Sequence, residues 1–243
     1  MFERIHHQRI AQLLLTLNGE LLREHNCWFG GGTAIALRYG EYRESEDIDF
    51  LVSDINSYRQ LRLLTTDSLG ILPLFQANVG TISQIRDVRA DQYGIRTMLL
   101  VADTQVKFEI VLEGRIKLQR PAGSDQICGI TTLSPLDMAT SKLLANSDRW
   151  SDASTFNRDL IDLAMMQPTT DLFHTALAKA ELVYGDAIVK DITKAIEKFQ
   201  CRADWLERCM LAMEIKVPKA VLWERIRNLR RILPKKQLII RTK

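Results

Sequence analysis

The order of apolar and polar positions predicts a first half that mixes strands with helices and a second half made of helices. Apolar residues recur at steps of three and four over residues 2–25, which indicates a helix, and a shorter helix is predicted over 57–64. Runs rich in β-branched residues and bounded by turn residues indicate strands. The predicted strands cover residues 27–29, 47–52, 81–88, 95–102, 106–112 and 126–130.

The segment from Ser134 to Asp137 has the residues typical of a helix start. It offers a serine cap, a proline in the first turn and an acid three residues after the cap. From there onward, apolar spacing and short connections predict helices over residues 135–146, 156–167, 170–183, 186–200, 202–214 and 218–232. We therefore expect an α/β domain over residues 1–132 and a helical domain over residues 133–243.

Composition narrows the class of protein without identifying it. The chain has 243 residues, of which 46% are hydrophobic and 26% charged, as in an ordinary globular protein. Its four cysteines are widely separated and form no Cys-x-x-Cys pair, which argues against a zinc site or a disulfide framework. Apolar runs are too short for a membrane span and the N-terminus lacks a signal-peptide pattern. These features predict a cytoplasmic protein with no membrane partner.

Three successive glycines, Gly30 to Gly32, follow the first predicted strand and precede a predicted helix that begins near Thr33. Glycine permits positive φ angles and lets the backbone approach a bulky anion closely. The N-terminus of a helix adds free N–H groups and the positive end of the helix dipole. This turn is therefore a predicted binding site for phosphate groups.

Asp47 and Asp49 follow on the next predicted strand. Residues two apart on a strand share a face, so their backbones lie roughly 7 Å apart and their carboxylates point the same way. Such carboxylates repel each other, and Mg²⁺ accepts carboxylate and phosphate oxygens together. The alternative for this pair alone is a strand with two solvated acids. The glycines together with Thr33, Arg43 and Ser45 favour nucleotide chemistry.

A third carboxylate lies on the predicted strand over residues 106–112. There Phe108 and Ile110 share one face, while Glu109 and Lys107 occupy the other. If this strand pairs with the strand of the two aspartates and both apolar faces are buried, Glu109 joins the pair. Three carboxylates can hold two metal ions, which clamp the attacking and leaving oxygens of an in-line displacement. The alternative is an ordinary surface glutamate.

Two positions in the helical half are also candidates. Lys142, in the second turn of its helix, could contact phosphate groups as a compact charged donor. Asp159, which follows Arg158 and precedes Asp162 by one turn, could position Lys142 or an attacking hydroxyl. The alternative in each case is a solvated helix face.

Five groups of residues together resemble the AbiEii/AbiGii nucleotidyltransferase family, which includes toxins of bacterial type IV toxin–antitoxin systems. This family belongs to the DNA-polymerase-β-like nucleotidyltransferase superfamily. The resemblance covers roughly residues 25–165. The matching groups are Gly-Gly-Thr-Ala-Ile-Ala-Leu at 31–37, Arg43-x-Ser45-x-Asp47-Ile48-Asp49-Phe50, Lys107-Phe108-Glu109-Ile110, Lys142 and Arg158-Asp159-x-x-Asp162.

The resemblance implies an α+β nucleotidyltransferase fold, with a small mixed β-sheet flanked by helices and a C-terminal helical bundle that completes the active-site cleft. It implies one or two Mg²⁺ ions, a nucleoside triphosphate (NTP) co-substrate and a site assembled from three sets of residues. The implied residues are Asp47, Asp49 and Glu109 for the metal, Gly31, Gly32, Thr33, Ser45 and Lys142 for the triphosphate, and Asp47, Asp49, Glu109, Lys142 and Asp159 for catalysis. At the position of Glu109, aspartate is commoner in such enzymes.

The implied reaction moves a nucleoside monophosphate from the NTP to an acceptor hydroxyl and releases pyrophosphate. RNA such as a tRNA 3′ end is the first expected acceptor, and a cognate antitoxin is the expected partner. A basic C-terminal segment is either a phosphate-binding surface or a solvated end. Its cations are Arg225, Arg227, Arg230, Arg231, Lys235, Lys236, Arg241 and Lys243.

Two other functions remain open at this stage. One is a nucleotidyltransferase that modifies a small molecule or a protein side chain. The other is a catalytically weak chain that acts as a binding module in a toxin–antitoxin pair.

Overall fold

A mixed β-sheet of six strands carries the residues of interest in the computed structural model, which describes residues 2–76, 80 and 82–234. The described strands are β1 Trp28–Gly30, β2 Ile48–Val52, β3 Ile82–Gln84, β4 Arg89–Ala90, β5 Gly94–Val101, β6 Thr104–Leu112, β7 Gln126–Ile127 and β8 Ile130–Thr131. The described helices are α1 Ile5–Thr16, α2 Gly19–Glu24, α3 Gly31–Arg38, α4 Ile55–Thr66, α5 Pro135–Arg149, α6 Arg158–Met166, α7 Thr170–Tyr184, α8 Ala187–Cys201, α9 Trp205–Ala212 and α10 Lys219–Ile232. The predicted α+β class is confirmed.

The strand order in the sheet is β1-β2-β6-β5-β3, and β4 pairs with a second part of β5. Within it β2 and β6 run parallel, whereas the other pairs are antiparallel. One face of the sheet is apolar: Phe50 is fully buried and its ring lies 5.6 Å from the rings of both Phe29 and Phe108. Helix α1 packs against β5 and β6, and α4 packs against β2.

The second half forms the predicted succession of helices. Ser134 caps α5, since its side chain accepts a hydrogen bond from the Asp137 backbone N–H at 3.1 Å. Helices α5 to α10 follow in the order and at the approximate positions that the apolar spacing predicts. Helix α3 packs against α5 and α6, so the glycine turn lies next to the helical half. The domain boundary near residue 132 stays a prediction.

Local structure differs from expectation in three places. The predicted helix over residues 2–25 is two helices, because Leu17 is extended and Asn18 caps α2 through the backbone N–H of Leu21. The predicted strand over 126–130 is the hairpin β7–β8, whose turn contains Cys128 and Gly129 at positive φ. The predicted strand over 81–88 contains only the short β3, and Thr81 lies outside the described residues.

No helix in the described ranges combines the length and apolar character that a membrane crossing requires.

The ring contacts of Phe50 lead to a stability prediction. Phe50→Ala should lower the free energy of unfolding by about 3–5 kcal/mol, because it removes a large apolar side chain from the centre of the sheet's core. Urea unfolding followed by circular dichroism measures this change. The control is Leu63→Ala on α4, where the side chain is 73% exposed and the expected change is within about 0.5 kcal/mol. Equal effects of the two substitutions would contradict the assignment of the core.

Candidate active site

The glycine turn connects β1 directly to α3 with no intervening loop. Gly31 has a φ of +68°, and a Cβ atom there would overlap the carboxylate of Asp49. A Cβ atom on Gly32 would overlap the guanidinium group of Arg43. No side chain caps the N-terminus of α3. The turn therefore brings its backbone into close contact with the side chains of Asp49 and Arg43.

A hydrogen bond between two hydroxyl groups joins the start of α3 to the segment that follows this helix. The Oγ1 atom of Thr33 lies 2.8 Å from the Oγ atom of Ser45, so these two predicted phosphate-binding residues are hydrogen-bonded to each other. Asp47 and Asp49 follow within a few residues. Asp47 lies just before β2 and is exposed, and Asp49 lies within β2 and is partly buried.

Glu109 lies beside Asp49, as the sequence predicts. In the parallel β2–β6 pair, Asp49 is in register with Glu109, while Ile48 and Phe108 form the next buried pair. All nine predicted site residues line one cavity of about 340 Å³. They are Gly31, Gly32, Thr33, Ser45, Asp47, Asp49, Glu109, Lys142 and Asp159. Their functional roles stay predictions.

The two aspartates are not held in ion pairs by described residues, although the charges of Lys107 and Lys142 act on Asp49 from farther away. Burial raises the pKa of Asp49 above its ordinary value, and the charges of Asp47 and Glu109 raise it further. Within the described residues, neither aspartate side chain takes part in an ion pair or a hydrogen bond. Oxygen ligands with unbalanced charge are the donors that a hard divalent cation accepts, so the pair fits such an ion.

Glu109 differs from the aspartates because both of its carboxylate oxygens already have partners. Oε1 accepts a hydrogen bond from Arg96 Nε at 2.5 Å, and Oε2 accepts one from Lys107 Nζ at 2.6 Å. Burial alone would raise the pKa of Glu109, but these two hydrogen bonds outweigh it and lower the pKa. In the described part of the chain, no group of three or more His, Cys, Asp or Glu side chains is arranged to hold a metal ion. Glu109 must therefore exchange an ion pair before it can serve as a third metal ligand.

Lys142 lies in a buried network of ion pairs at the other wall of the cavity. Its Nζ atom is 3.0 Å from Asp159 Oδ1 and 2.6 Å from Asp162 Oδ2. Arg43 donates to both oxygens of Asp162 at 2.7 and 3.0 Å. Arg149 donates to both oxygens of Asp159 at 2.7 and 2.9 Å. The network joins the segment that carries Arg43 to helices α5 and α6.

The cations of this network decide the ionisation of its acids. Burial alone would raise the pKa of both aspartates. Arg43 and Lys142 instead hold the pKa of Asp162 below its ordinary value, and Lys142 and Arg149 do the same for Asp159. The acids are therefore ionised at neutral pH, and the cavity wall carries paired charges.

Sequence reasoning placed Asp159 near Lys142, and this contact is present. It named Arg43 as part of the nucleotide motif, and the structure shows an ion pair between Arg43 and Asp162. It missed Arg149 and Arg96, which neutralise Asp159 and Glu109. Arg149 follows Lys142 by seven residues, two turns along the same face of α5, and that spacing was an available signal. The pairing of Arg96 with Glu109 depends on strand register, for which no local signal exists.

The ion-pair network leads to a prediction about stability and its pH dependence. Asp162→Asn should lower the free energy of unfolding by about 3–5 kcal/mol at neutral pH, because it leaves buried cations without their anion. Since the pKa of Asp162 is lowered by folding, its contribution is present above the ordinary aspartate pKa of about 3.9 and is lost as the pH falls below that value. Wild-type stability should therefore fall more steeply below about pH 4 than that of the variant.

Urea unfolding between neutral and acidic pH checks both parts. The matched control is Asp186→Asn, since the Asp186 side chain is 80% exposed and pairs with Lys190 only at 3.8 Å. A neutral-pH loss no larger than that of this control would contradict the proposed importance of the network.

Comparison with known proteins agrees with this architecture. The sequence model of the AbiEii family, described as nucleotidyl transferase toxins of a type IV toxin–antitoxin system, matches residues 12–235. A candidate nucleotidyltransferase from H. pylori is similar in structure, with a TM-score of 0.50, 18% identity and coverage of 93% of each chain. JHP933 from Helicobacter pylori is also similar, with a TM-score of 0.51, 19% identity and coverage of 93% of this chain and 90% of its own. These likenesses concern the fold. A search of curated proteins finds no match. The family match extends over most of the chain, which therefore belongs to the AbiEii family of nucleotidyltransferase toxins of type IV toxin–antitoxin systems.

Proposed function

We propose that this nucleotidyltransferase uses Mg²⁺ to move a nucleoside monophosphate from an NTP to a hydroxyl group of RNA, with release of pyrophosphate. The observation that carries the proposal is the pair of aspartates without direct counter-cations, beside the uncapped N-terminus of α3. Backbone N–H groups at a helix N-terminus bind phosphate, and unbalanced carboxylates bind a hard cation. The two features support the proposal because they lie in one cavity.

The triphosphate would lie at the glycine turn. Gly31 and Gly32 allow its oxygens to reach the backbone, and Thr33 and Ser45 offer hydroxyl groups. Lys142 has three N–H donors, of which Asp159 and Asp162 account for two. The remaining donor would bind a phosphate oxygen.

Asp47 and Asp49 would hold the metal ion, with Glu109 as a further ligand once an ion pair with Arg96 or Lys107 is exchanged. When bound, the ion would neutralise charge on the phosphate groups. The protein itself supplies orientation and fixed charges, as in phosphoryl transfer generally.

The acceptor hydroxyl would lose its proton to Asp49 or Glu109. The geometry favours Asp49, because both carboxylate oxygens of Glu109 already accept hydrogen bonds from Arg96 and Lys107, whereas the Asp49 side chain accepts none from the described residues. The pyrophosphate would leave from the side of the glycine turn.

The C-terminal cations support an RNA acceptor only weakly. Arg227 and Arg231 pair with Glu224, and Arg230 donates a hydrogen bond to Gln200. Lys235, Lys236, Arg241 and Lys243 lie outside the described residues. The RNA proposal, tRNA included, therefore rests on the chain's membership of this family of toxins, for which RNA is the first expected acceptor. A cognate antitoxin and a cytoplasmic location are part of the same proposal.

Substitution of the two aspartates tests the proposal. Asp47→Asn and Asp49→Asn should each reduce transfer of labelled nucleoside monophosphate to bacterial total RNA by at least roughly 100-fold, because charge stabilisation in the transition state is lost. Folding raises the pKa of Asp49, so its ionised form at neutral pH costs folding free energy. The melting temperature of Asp49→Asn should therefore equal or exceed that of the wild type.

The control is Asp171→Asn, an exposed acid at the start of α7, which should leave both transfer and melting unchanged. Transfer that survives in Asp49→Asn, or that persists in EDTA, would refute the metal assignment. Label that appears in protein or in small molecules instead of RNA would refute the acceptor.

A further inference from the structure

A row of charged side chains crosses the sheet from the carboxylates toward its far edge. Asp49 in β2 is in register with Glu109 in β6, Glu109 with Arg96 in β5, and Arg96 with Arg89 in β4. In-register neighbours project from the same face of a sheet, and adjacent strands lie about 4.8 Å apart. The row therefore extends roughly 14 Å from the acids to Arg89.

The far half of the row lines a groove of about 650 Å³ that is separate from the carboxylate cavity. Lys107 belongs to both, so the two spaces adjoin at its side chain. The charged residues that line the groove are Arg86, Arg89, Arg96, Lys107 and the single acid Asp87. Cations therefore outnumber acids in the lining of the groove.

Part of this positive charge is not balanced within the described structure. Arg89 and Arg96 lie directly opposite each other on an antiparallel pair, which is unfavourable for like charges. Arg96 is balanced by Asp91 and Glu109. In the described part of the chain, the guanidinium groups of Arg86 and Arg89 are exposed and make no ion pair or hydrogen bond.

We propose that this groove binds the phosphate backbone of the acceptor RNA, as a single strand, next to the end that carries the attacking hydroxyl. Guanidinium groups bind phosphate in a bidentate manner, and a positive groove of this kind follows a nucleic-acid backbone without reading its sequence. The inference rests on the proposed function, because it takes the adjoining carboxylate cavity as the catalytic centre.

The order of strands in the sheet supports an approach of the RNA strand along the groove toward the carboxylates. The glycine turn follows β1, which pairs with β2 on the side away from β6. The carboxylates of Asp49 and Glu109 therefore lie between the proposed NTP site and the groove. An acceptor strand that enters along the groove would bring its terminal hydroxyl to the side of the metal site opposite the glycine turn, as an in-line displacement requires.

The test is the double variant Arg86→Gln/Arg89→Gln in the full chain. Fluorescence anisotropy with a fluorescein-labelled, mixed-sequence single-stranded RNA should report weaker binding. The slope of log Kd against log salt should fall by about 1.4, at about 0.7 for each lost phosphate contact on a single strand. In the transfer assay the KM for RNA should rise, while the kcat at saturating RNA and the affinity for NTP should stay near wild-type values.

The matched control is Lys117→Gln/Arg120→Gln, which removes the same charge from two exposed residues that line neither space. Its RNA binding should change much less. Wild-type binding by the groove variant, or an equal loss in the control, would overturn the proposal. If the wild type bound poly-glutamate as tightly as it binds the labelled RNA, the assignment of the groove to RNA would be overturned.

Different results would refute the groove assignment and the proposed function. Asp49→Asn should lose transfer yet keep RNA affinity at least equal to that of the wild type, since it removes a negative charge near the strand's end. Normal transfer by Asp49→Asn would refute the catalytic centre. Normal RNA affinity of the arginine variant would refute the groove alone.

Discussion

The parallel register of β2 and β6 is the constraint on which the rest of the structure depends. It places Asp49 beside Glu109 on one face of the sheet and buries Ile48 and Phe108 on the other. Side chains alternate with a period of two, so a slip of one residue would drive the carboxylates into the core. The apolar pattern of the two strands therefore selects the same pairing that assembles the charged face, and folding and site formation follow from one register.

The three carboxylates on that face differ in whether a cation is paired with them, and this difference suits a nucleotidyltransferase. Glu109 is held by Arg96 and Lys107, whereas Asp47 and Asp49 have no such partners among the described residues. The raised pKa of Asp49 means that its ionised form opposes folding. Because the folded state nevertheless keeps this charge, other interactions must offset its cost. Arg43 and Arg149, which both line the cavity, each pair with both oxygens of a buried acid.

Local signals in the sequence predicted most of the elements and the position of the first motif. The glycines before Thr33, the alternation around Asp49 and the cap at Ser134 each depend on residues close in the chain, so spacing alone identifies them. The placement of Glu109 needed one added assumption, that two apolar strand faces pack together, and the register confirms it.

What the sequence could not predict depends on contacts between distant segments. The pairing of Arg96 with Glu109, and of Arg149 with Asp159, follows from tertiary geometry. The break in the N-terminal helix occurs because Asn18 forms a competing cap in front of Gly19, a choice that apolar periodicity does not register. The alignment of Arg89 with the acids likewise becomes visible only once four strands are in register.

The central claim is that the aspartate pair and the glycine turn hold a metal–nucleotide complex. A crystal structure of the full chain with Mn²⁺ and a non-hydrolysable NTP analogue tests it most directly, since anomalous scattering locates the ion. The account predicts Mn²⁺ in contact with Asp47 and Asp49, with the triphosphate at the N-terminus of α3. A triphosphate bound outside this cavity, or Mn²⁺ that contacts neither aspartate, would contradict it.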